Sequence, residues 1–253
     1  MMTANATMTT TSTALEVRGI YMTFYGVDAL ADINLVLDRG EWLGLIGPNG
    51  SGKSTMLNVL SGLYTPRAGS VMLAGNDLGK TKARNRIKRG LSRTFQHPQL
   101  AQSLTILENA QIGATFAETK VDDVEKEAHK WLEELGCGEY AEHLPAEVPY
   151  GVQKLCEVAR ALVASPRVLL LDEPAAGLSA KERVELVSAL KAVRQSLPDL
   201  TLCLVEHDVG LVASVCEQLA VLSAGKLIAQ GVTQSVLADE AVKTAYLGTR
   251  SSI

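Results

Sequence analysis

Gly47-Pro48-Asn49-Gly50-Ser51-Gly52-Lys53-Ser54-Thr55 satisfies G-x-x-x-x-G-K-[ST], a pattern in which a glycine-rich turn cradles phosphate. Upstream, Trp42-Leu43-Gly44-Leu45-Ile46 is a short apolar run of strand type. Downstream, Met56, Leu57, Val59 and Leu60 open a helical spacing. Strand, loop and helix in that order are the context the motif requires. The glycines let the backbone curl until successive N–H groups converge on phosphate oxygens. The following helix turns the positive end of its dipole toward the same anion. Lys53 is placed to reach the β- and γ-phosphates, and the Ser54 hydroxyl to ligate Mg²⁺. An ordinary glycine turn before a helix has no need of Lys-Ser-Thr, so residues 47–55 are read as a nucleotide triphosphate site.

The 253 residues suffice for one large α/β domain or two small ones, and 47% of them are apolar, which suits a globular core. A formal charge of −4 gives no general electrostatic reason to bind nucleic acid, and none is expected as a partner. The basic run over 80–93 is interrupted by other residues and reads as a solvated face. Cys137, Cys156, Cys203 and Cys216 stand apart in apolar patterns, as buried free thiols would. No run approaches the roughly 20 apolar residues of a membrane-spanning helix. The Thr-rich start lacks a basic end and an apolar stretch, so it is read as a disordered tail over 1–12 rather than a signal peptide. A cytoplasmic chain is expected; any membrane-spanning part must belong to a partner.

Candidate strands lie at 15–17, 33–37, 42–46, 71–73, 91–95, 168–171, 200–205, 219–222 and 226–229. The closely spaced early ones suggest antiparallel pairing. Runs 168–171 and 200–205, apolar but for Thr201, flank a helical segment at 180–197. That is a βαβ pattern with strands buried on both faces of a parallel sheet. Between 98 and 144 strand signals vanish, and helical spacing takes over at 104–117 and 121–135, returning through a helix at 153–164.

Val168-Leu169-Leu170-Leu171-Asp172-Glu173-Pro174 ends an apolar strand in two acids, which are costly there unless a cation or water chemistry uses them. Asp172 is expected near Mg²⁺, and Glu173 is the candidate general base for water. Gln96 follows the strand at Phe95 and could touch Mg²⁺ or the lytic water through its amide oxygen. His207 follows Leu204-Val205-Glu206 at another strand exit, where ligands of parallel sheets bind. It is placed to bond the γ-phosphate or hold Glu173.

Together these residues resemble the ATP-binding cassette (ABC) family over nearly the whole chain after the tail. Residues 47–55 match its first nucleotide motif, Gln96 its glutamine loop, 168–173 its second motif and base, and His207 its switch histidine. The resemblance implies an α/β fold: a P-loop NTPase (RecA-like) core, an N-terminal antiparallel β subdomain, and an α-helical subdomain inserted at about 97–160. It makes 13–253 one nucleotide-binding domain. It also implies an aromatic on adenine, best fitted by Phe24 with Tyr25 as fallback, and ATP as the nucleotide. The family's signature Leu-Ser-Gly-Gly-Gln stands here as Val148-Pro149-Tyr150-Gly151-Val152-Gln153. Pro149 replaces the serine and removes a donor, while the Gly151 N–H is left to serve the γ-phosphate of a second subunit. Ser179 stands where aspartate is common.

Pro149-Tyr150-Gly151, Arg93-Thr94-Phe95-Gln96, Glu173-Pro174-Ala175-Ala176-Gly177-Leu178, Leu204-Val205-Glu206-His207-Asp208 and the ending Ala245-Tyr246-Leu247-Gly248 are similar to the ATPase subunits of branched-chain amino acid importers. Urea and short amides are carried by related systems. The resemblance implies ATP hydrolysis at the cytoplasmic face of the cell membrane by a peripheral subunit. Its partners would be permease subunits, meeting it at 97–100 and 104–109, a second identical or related ATPase subunit, and indirectly an extracytoplasmic solute-binding protein. Two other readings stand beside it. One is the ATPase of a lipid or lipopolysaccharide export complex, and the other a non-transport nucleotide switch with low turnover.

Overall fold

Residues 13–116 and 123–247 are described by a computed structural model of the chain. The tail expected at 1–12, the ends of two expected helices at Ala117 and Val121, and Gly248 lie outside them. The chain opens with a long hairpin, β1 (Thr13–Phe24) and β2 (Val27–Asp38), turning at Tyr25-Gly26 with φ of 49° and 84°. Two consecutive positive φ angles match the right-handed twist of the flanking strands. Then follow β3 (Trp42–Ile46), α1 (Lys53–Ser61), β4 (Ala68–Leu73), β5 (Asn76–Asp77), α2 (Ala83–Lys88) and β6 (Leu91–Arg93). A helical stretch holds α3 (Ile106–Gln111), a 3₁₀ turn (Ile112–Phe116), α4 (Val124–Glu134) and α5 (Tyr150–Val163). The chain ends with β7 (Val168–Asp172), α6 (Ala180–Ser196), β8 (Thr201–Val205), α7 (Val209–Val215), β9 (Gln218–Ser223), β10 (Lys226–Val232), α8 (Thr233–Ala238) and α9 (Glu240–Leu247).

One sheet has the order β2-β1-β4-β5 and is antiparallel, as the close early spacing predicts. The other has the order β10-β9-β3-β8-β7-β6, parallel except where β10 pairs with β9. Alternation decides what each strand packs against. Leu43, Leu45, Val168, Leu170, Cys203, Val205, Ala220 and Leu222 share a core with α1 and the antiparallel sheet. Trp42, Ile46, Leu169, Leu171, Leu202, Leu204, Leu219 and Val221 join the core beneath α5, α6 and α7. With both faces covered, the central positions of these strands are apolar on both sides, which is why the runs show no alternation. All four cysteines are buried free thiols, and burial pushes Cys137, Cys156 and Cys203 up to about 12. No helix among the described residues is long and apolar enough to cross a membrane.

The expected helix at 104–117 is shorter and breaks in two. Thr105 caps α3 by accepting from the Glu108 N–H, while the Glu108 carboxylate accepts from the Thr105 N–H at 2.8 Å. That reciprocal box fixes the start. The expected helix at 153–164 begins three residues earlier, at Tyr150, with Pro149 as N-cap. The strand expected to 95 stops at Arg93, and Phe95 is exposed beneath the Arg93 guanidinium.

The basic run is not wholly a solvated face. Arg86, 1% exposed, caps the end of α1 by donating to the carbonyls of Val59 (2.9 Å) and Leu60 (2.7 Å), and it also reaches Thr81 and Gly79. The last carbonyls of a helix lack internal partners, and a cation there also meets the negative end of the dipole. Burial lowers this guanidinium to about 10, so it stays charged at neutral pH. Arg86→Met is expected to lower the unfolding free energy by about 2–4 kcal/mol, because it strands buried carbonyls. Urea denaturation checks this; a loss under roughly 0.5 kcal/mol, the range of ordinary surface substitutions, would contradict it.

Candidate functional site

The parallel register sets three strand ends side by side: Leu45 of β3 pairs with Val205 of β8, which pairs with Asp172 of β7. The loops leaving these strands carry residues 47–55, Glu173, and Glu206 with His207. They therefore meet at one edge of the sheet, where ligands of such sheets bind. Residues separated by up to 160 positions become neighbours.

In the first loop, Gly47 has φ 156° and a Cβ there would run into the Leu222 carbonyl oxygen. Gly52 has φ 107° and a Cβ there would lie 2.6 Å from the Ala29 carbonyl oxygen. Only glycine fits either place. Lys53, 6% exposed, donates to the carbonyls of Gly47 (2.7 Å) and Pro48 (3.1 Å). Burial pulls its amine down, and the carboxylates of Glu173 and Asp172 pull it back up. The Ser51 hydroxyl is buried without a hydrogen-bond partner. Ser54 is exposed in the first turn of α1, beside half-buried Thr55. Asn49 and Gly50 are exposed at the tip, next to half-buried Pro48. Phe24 ends β1 with its ring edge-on to Tyr64 at 5.4 Å; Tyr25 is fully exposed in the turn.

Asp172 is buried at the end of β7 and bonded to Arg93 at 2.8 Å. The same guanidinium donates to Asn58 and Ser61 of α1, at 2.7 and 2.9 Å, so it ties the acid strand to the helix of the phosphate loop. Glu173 has φ 45°, an uncommon conformation for a residue with a side chain. Its N–H donates to Val205 at 2.9 Å, and its carboxylate accepts from the Gln96 amide at 2.7 Å. The expected role of Gln96 used its amide oxygen; here its nitrogen makes the bond. Glu206 has no exposed surface and accepts from the N–H groups of Ala175 (2.7 Å) and His207 (3.2 Å). Burial pushes its carboxyl up, opposed by those two bonds. His207 Nδ1 lies 3.6 Å from the Glu206 carboxylate.

Gly151 sits in the first turn of α5, but its N–H is not open. It donates to Glu182 Oε1 at 3.1 Å, and the other oxygen of Glu182 accepts from the Ser179 N–H and hydroxyl. Those bonds hold the Glu182 carboxyl below its usual range. Ser179, where the family pattern prefers aspartate, thus serves as the N-cap of α6.

Arg93, Glu206, Glu182 and Lys154 take part in this network without standing out in the sequence. Glu206 carried a usable signal, since it follows the apolar run 202–205 as Asp172 follows 168–171. Lys154 carried a fainter one: it interrupts the apolar face of α5 between Gly151 and Val158.

Against known proteins, the family model described as ABC transporter matches residues 30–176. The high-affinity branched-chain amino acid transport ATP-binding proteins BraF of Pseudomonas aeruginosa and LivG of Escherichia coli K12 are each 34% identical. In both cases the match covers 92% of this chain and 97% of the relative. A nucleotide-free ATP-binding cassette from an ABC transporter superposes with a TM-score of 0.83 at 28% identity, covering 92% of this chain and 98% of the other. With a phosphate loop, a carboxylate pair and a parallel-sheet edge joining them, the chain belongs to the ABC transporter family, as an ATP-binding and ATP-hydrolysing subunit.

Proposed function

We propose that this ATPase energises an importer of branched-chain amino acids or a related small polar solute, as a peripheral subunit on the cytoplasmic face of the membrane. The observation that carries the reading is the near end-to-end match, 92% of this chain against 97% of each of two branched-chain transport subunits. Permease subunits are its partners, contacting 97–100 and 104–109, with a solute-binding protein acting through them. A second identical or related ATPase completes each site through its Gly151 segment. For that to happen the bond from Gly151 to Glu182 must open.

Within one site, the glycine loop and Lys53 bind the triphosphate, and the Phe24 ring lies against the base. The oxygen donors Ser54, Asp172 and Gln96 suit a hard cation. Mg²⁺ is a cation commonly held by one or two protein groups together with substrate phosphates. When bound, Mg²⁺ held by these donors would supply charge neutralisation on the phosphates. Glu173 takes a proton from water as the water oxygen bonds to the γ-phosphorus. The bond from that phosphorus to the β–γ bridging oxygen breaks, leaving ADP and phosphate. Gln96 holds the Glu173 carboxylate, and Glu206 holds the His207 backbone near the γ-phosphate.

Reconstitution in liposomes with candidate branched-chain permease subunits and their solute-binding protein tests the reading. ATPase activity should rise when the solute-binding protein carries leucine, isoleucine, valine or a short amide. Activity indifferent to the permease would remove the transport assignment.

A further inference from the structure

Helix α5 carries a polar stripe inside an apolar surface. Lys154, Glu157 and Arg160 recur every third residue and so lie along one side of the helix. All three bond the segment 96–99. Lys154 Nζ donates to the Gln96 carbonyl, Glu157 accepts from the Gln99 N–H at 2.9 Å, and Arg160 donates to the Gln99 carbonyl at 2.7 Å. Glu157 and Arg160 are themselves paired at 2.8 Å.

Lys154 makes one bond more. Its ammonium, on a residue only 3% exposed, also donates to the Glu173 carbonyl at 3.2 Å. A buried ammonium is costly unless it is bonded and charge-compensated. Here its hydrogen bonds go to two main-chain carbonyls. Burial pulls the amine down, while the carboxylates of Glu157, Glu206, Asp172 and Glu173 act against that loss of charge. A lysine spent on two carbonyls is a poor core filler, since Met would pack there at less desolvation cost.

Both carbonyls belong to residues whose side chains also meet. Gln96 and Glu173 touch at 2.7 Å through their side chains, and Lys154 clamps their main chains. Glu173 needs such support. Its left-handed backbone costs about 1–2 kcal/mol and persists only where the surroundings fix it. The Val205 carbonyl holds its N–H, and Lys154 holds its C=O.

We propose that Lys154 is a positioning residue for hydrolysis, whose ammonium locks the Glu173 main chain and the Gln96 main chain into one unit mounted on α5. Movement of the 96–99 segment, gripped by the same stripe, then reaches the base through a single amine. The inference rests on Glu173 being the base, so Glu173→Gln runs beside every variant as the control for that reading.

The experiment compares the purified full chain with Lys154→Met, Lys154→Arg and Lys154→Gln, normalising turnover to the nucleotide-binding sites counted with a fluorescent ATP analogue. Lys154→Met keeps bulk and removes the donors. It is expected to lower kcat about 10- to 50-fold, as misplacing a catalytic group does, with KM for ATP changed less than about threefold. Lys154→Arg, which retains a cationic donor, is expected to recover at least about a third of kcat. Lys154→Gln is expected to lose at least about fivefold, and it carries the test should the methionine variant not melt cooperatively. A wholly structural role predicts fewer binding sites and a lower Tm but an unchanged kcat per site; that result overturns the proposal. If instead Glu173→Gln turns over normally, the base assignment fails, and the Lys154 proposal falls with it for a reason the control identifies.

Discussion

Glu173→Gln is expected to bind ATP and hardly hydrolyse it. The substitution changes one carboxylate oxygen to an amide, keeps the side chain's length, and leaves a partner for Gln96 at the same 2.7 Å contact. The backbone strain at φ 45° is common to both residues, so the strand exit is not disturbed. What disappears is the carboxylate proposed to accept the proton from water. General-base catalysis is worth about 10²–10⁴-fold, and kcat should fall by that range while affinity for ATP changes less than about threefold. Removal of one negative charge close to a bound polyanion acts in the direction of tighter retention. Phosphate release, nucleotide retention on a desalting column and sedimentation of the ATP-loaded chain measure the three consequences. Retained ATP should coincide with a dimer. Turnover like that of the unaltered chain would show that the base lies elsewhere.

Lys53→Met is expected to fail one step earlier, at binding. Lys53 lies within hydrogen-bond reach of the loop's own carbonyls, Gly47 at 2.7 Å and Pro48 at 3.1 Å, and its charge is held against burial by Glu173 and Asp172. Methionine keeps the volume, so the loop's shape should survive. A charge-assisted bond contributes about 1.5–3 kcal/mol, and Lys53 is placed to reach both the β- and γ-phosphates. Affinity for ATP should drop roughly 30- to 1000-fold, about 2–4 kcal/mol. Titration with a fluorescent ATP analogue, alongside a thermal melt, separates lost affinity from lost fold. Unchanged affinity would mean that the backbone N–H groups and helix dipole suffice alone. The two substitutions divide the site: one spares binding and stops chemistry, the other removes binding itself.

Much of the site was readable because its parts are local. The nine residues 47–55 fix their own turn, and their flanks declare strand and helix. The doubly covered strands announce themselves by apolar runs, and each of β7 and β8 marks its exit with acids. Arg86 and Arg93 were not readable. Inside a basic stretch nothing distinguishes a solvated arginine from one that caps a helix 27 residues away or meets an acid 79 residues away. Glu182 escaped for the same reason, since its capping of Ser179 is local but its bond to Gly151 spans 31 residues.

By itself the sequence pointed to the chemistry: a triphosphate loop, two acids expected to serve Mg²⁺ and water, and the strand-helix order that sets them at a nucleotide site. These follow from backbone conformation and side-chain type within a few residues. Only the tertiary structure decided how Glu173 is held, through the register that aligns β3, β8 and β7 and through Lys154, which reaches both Gln96 and Glu173 from α5. Local spacing cannot carry that information. A buried charge is tolerated only where partners from distant parts of the chain converge on it, and that convergence exists only once the chain has folded.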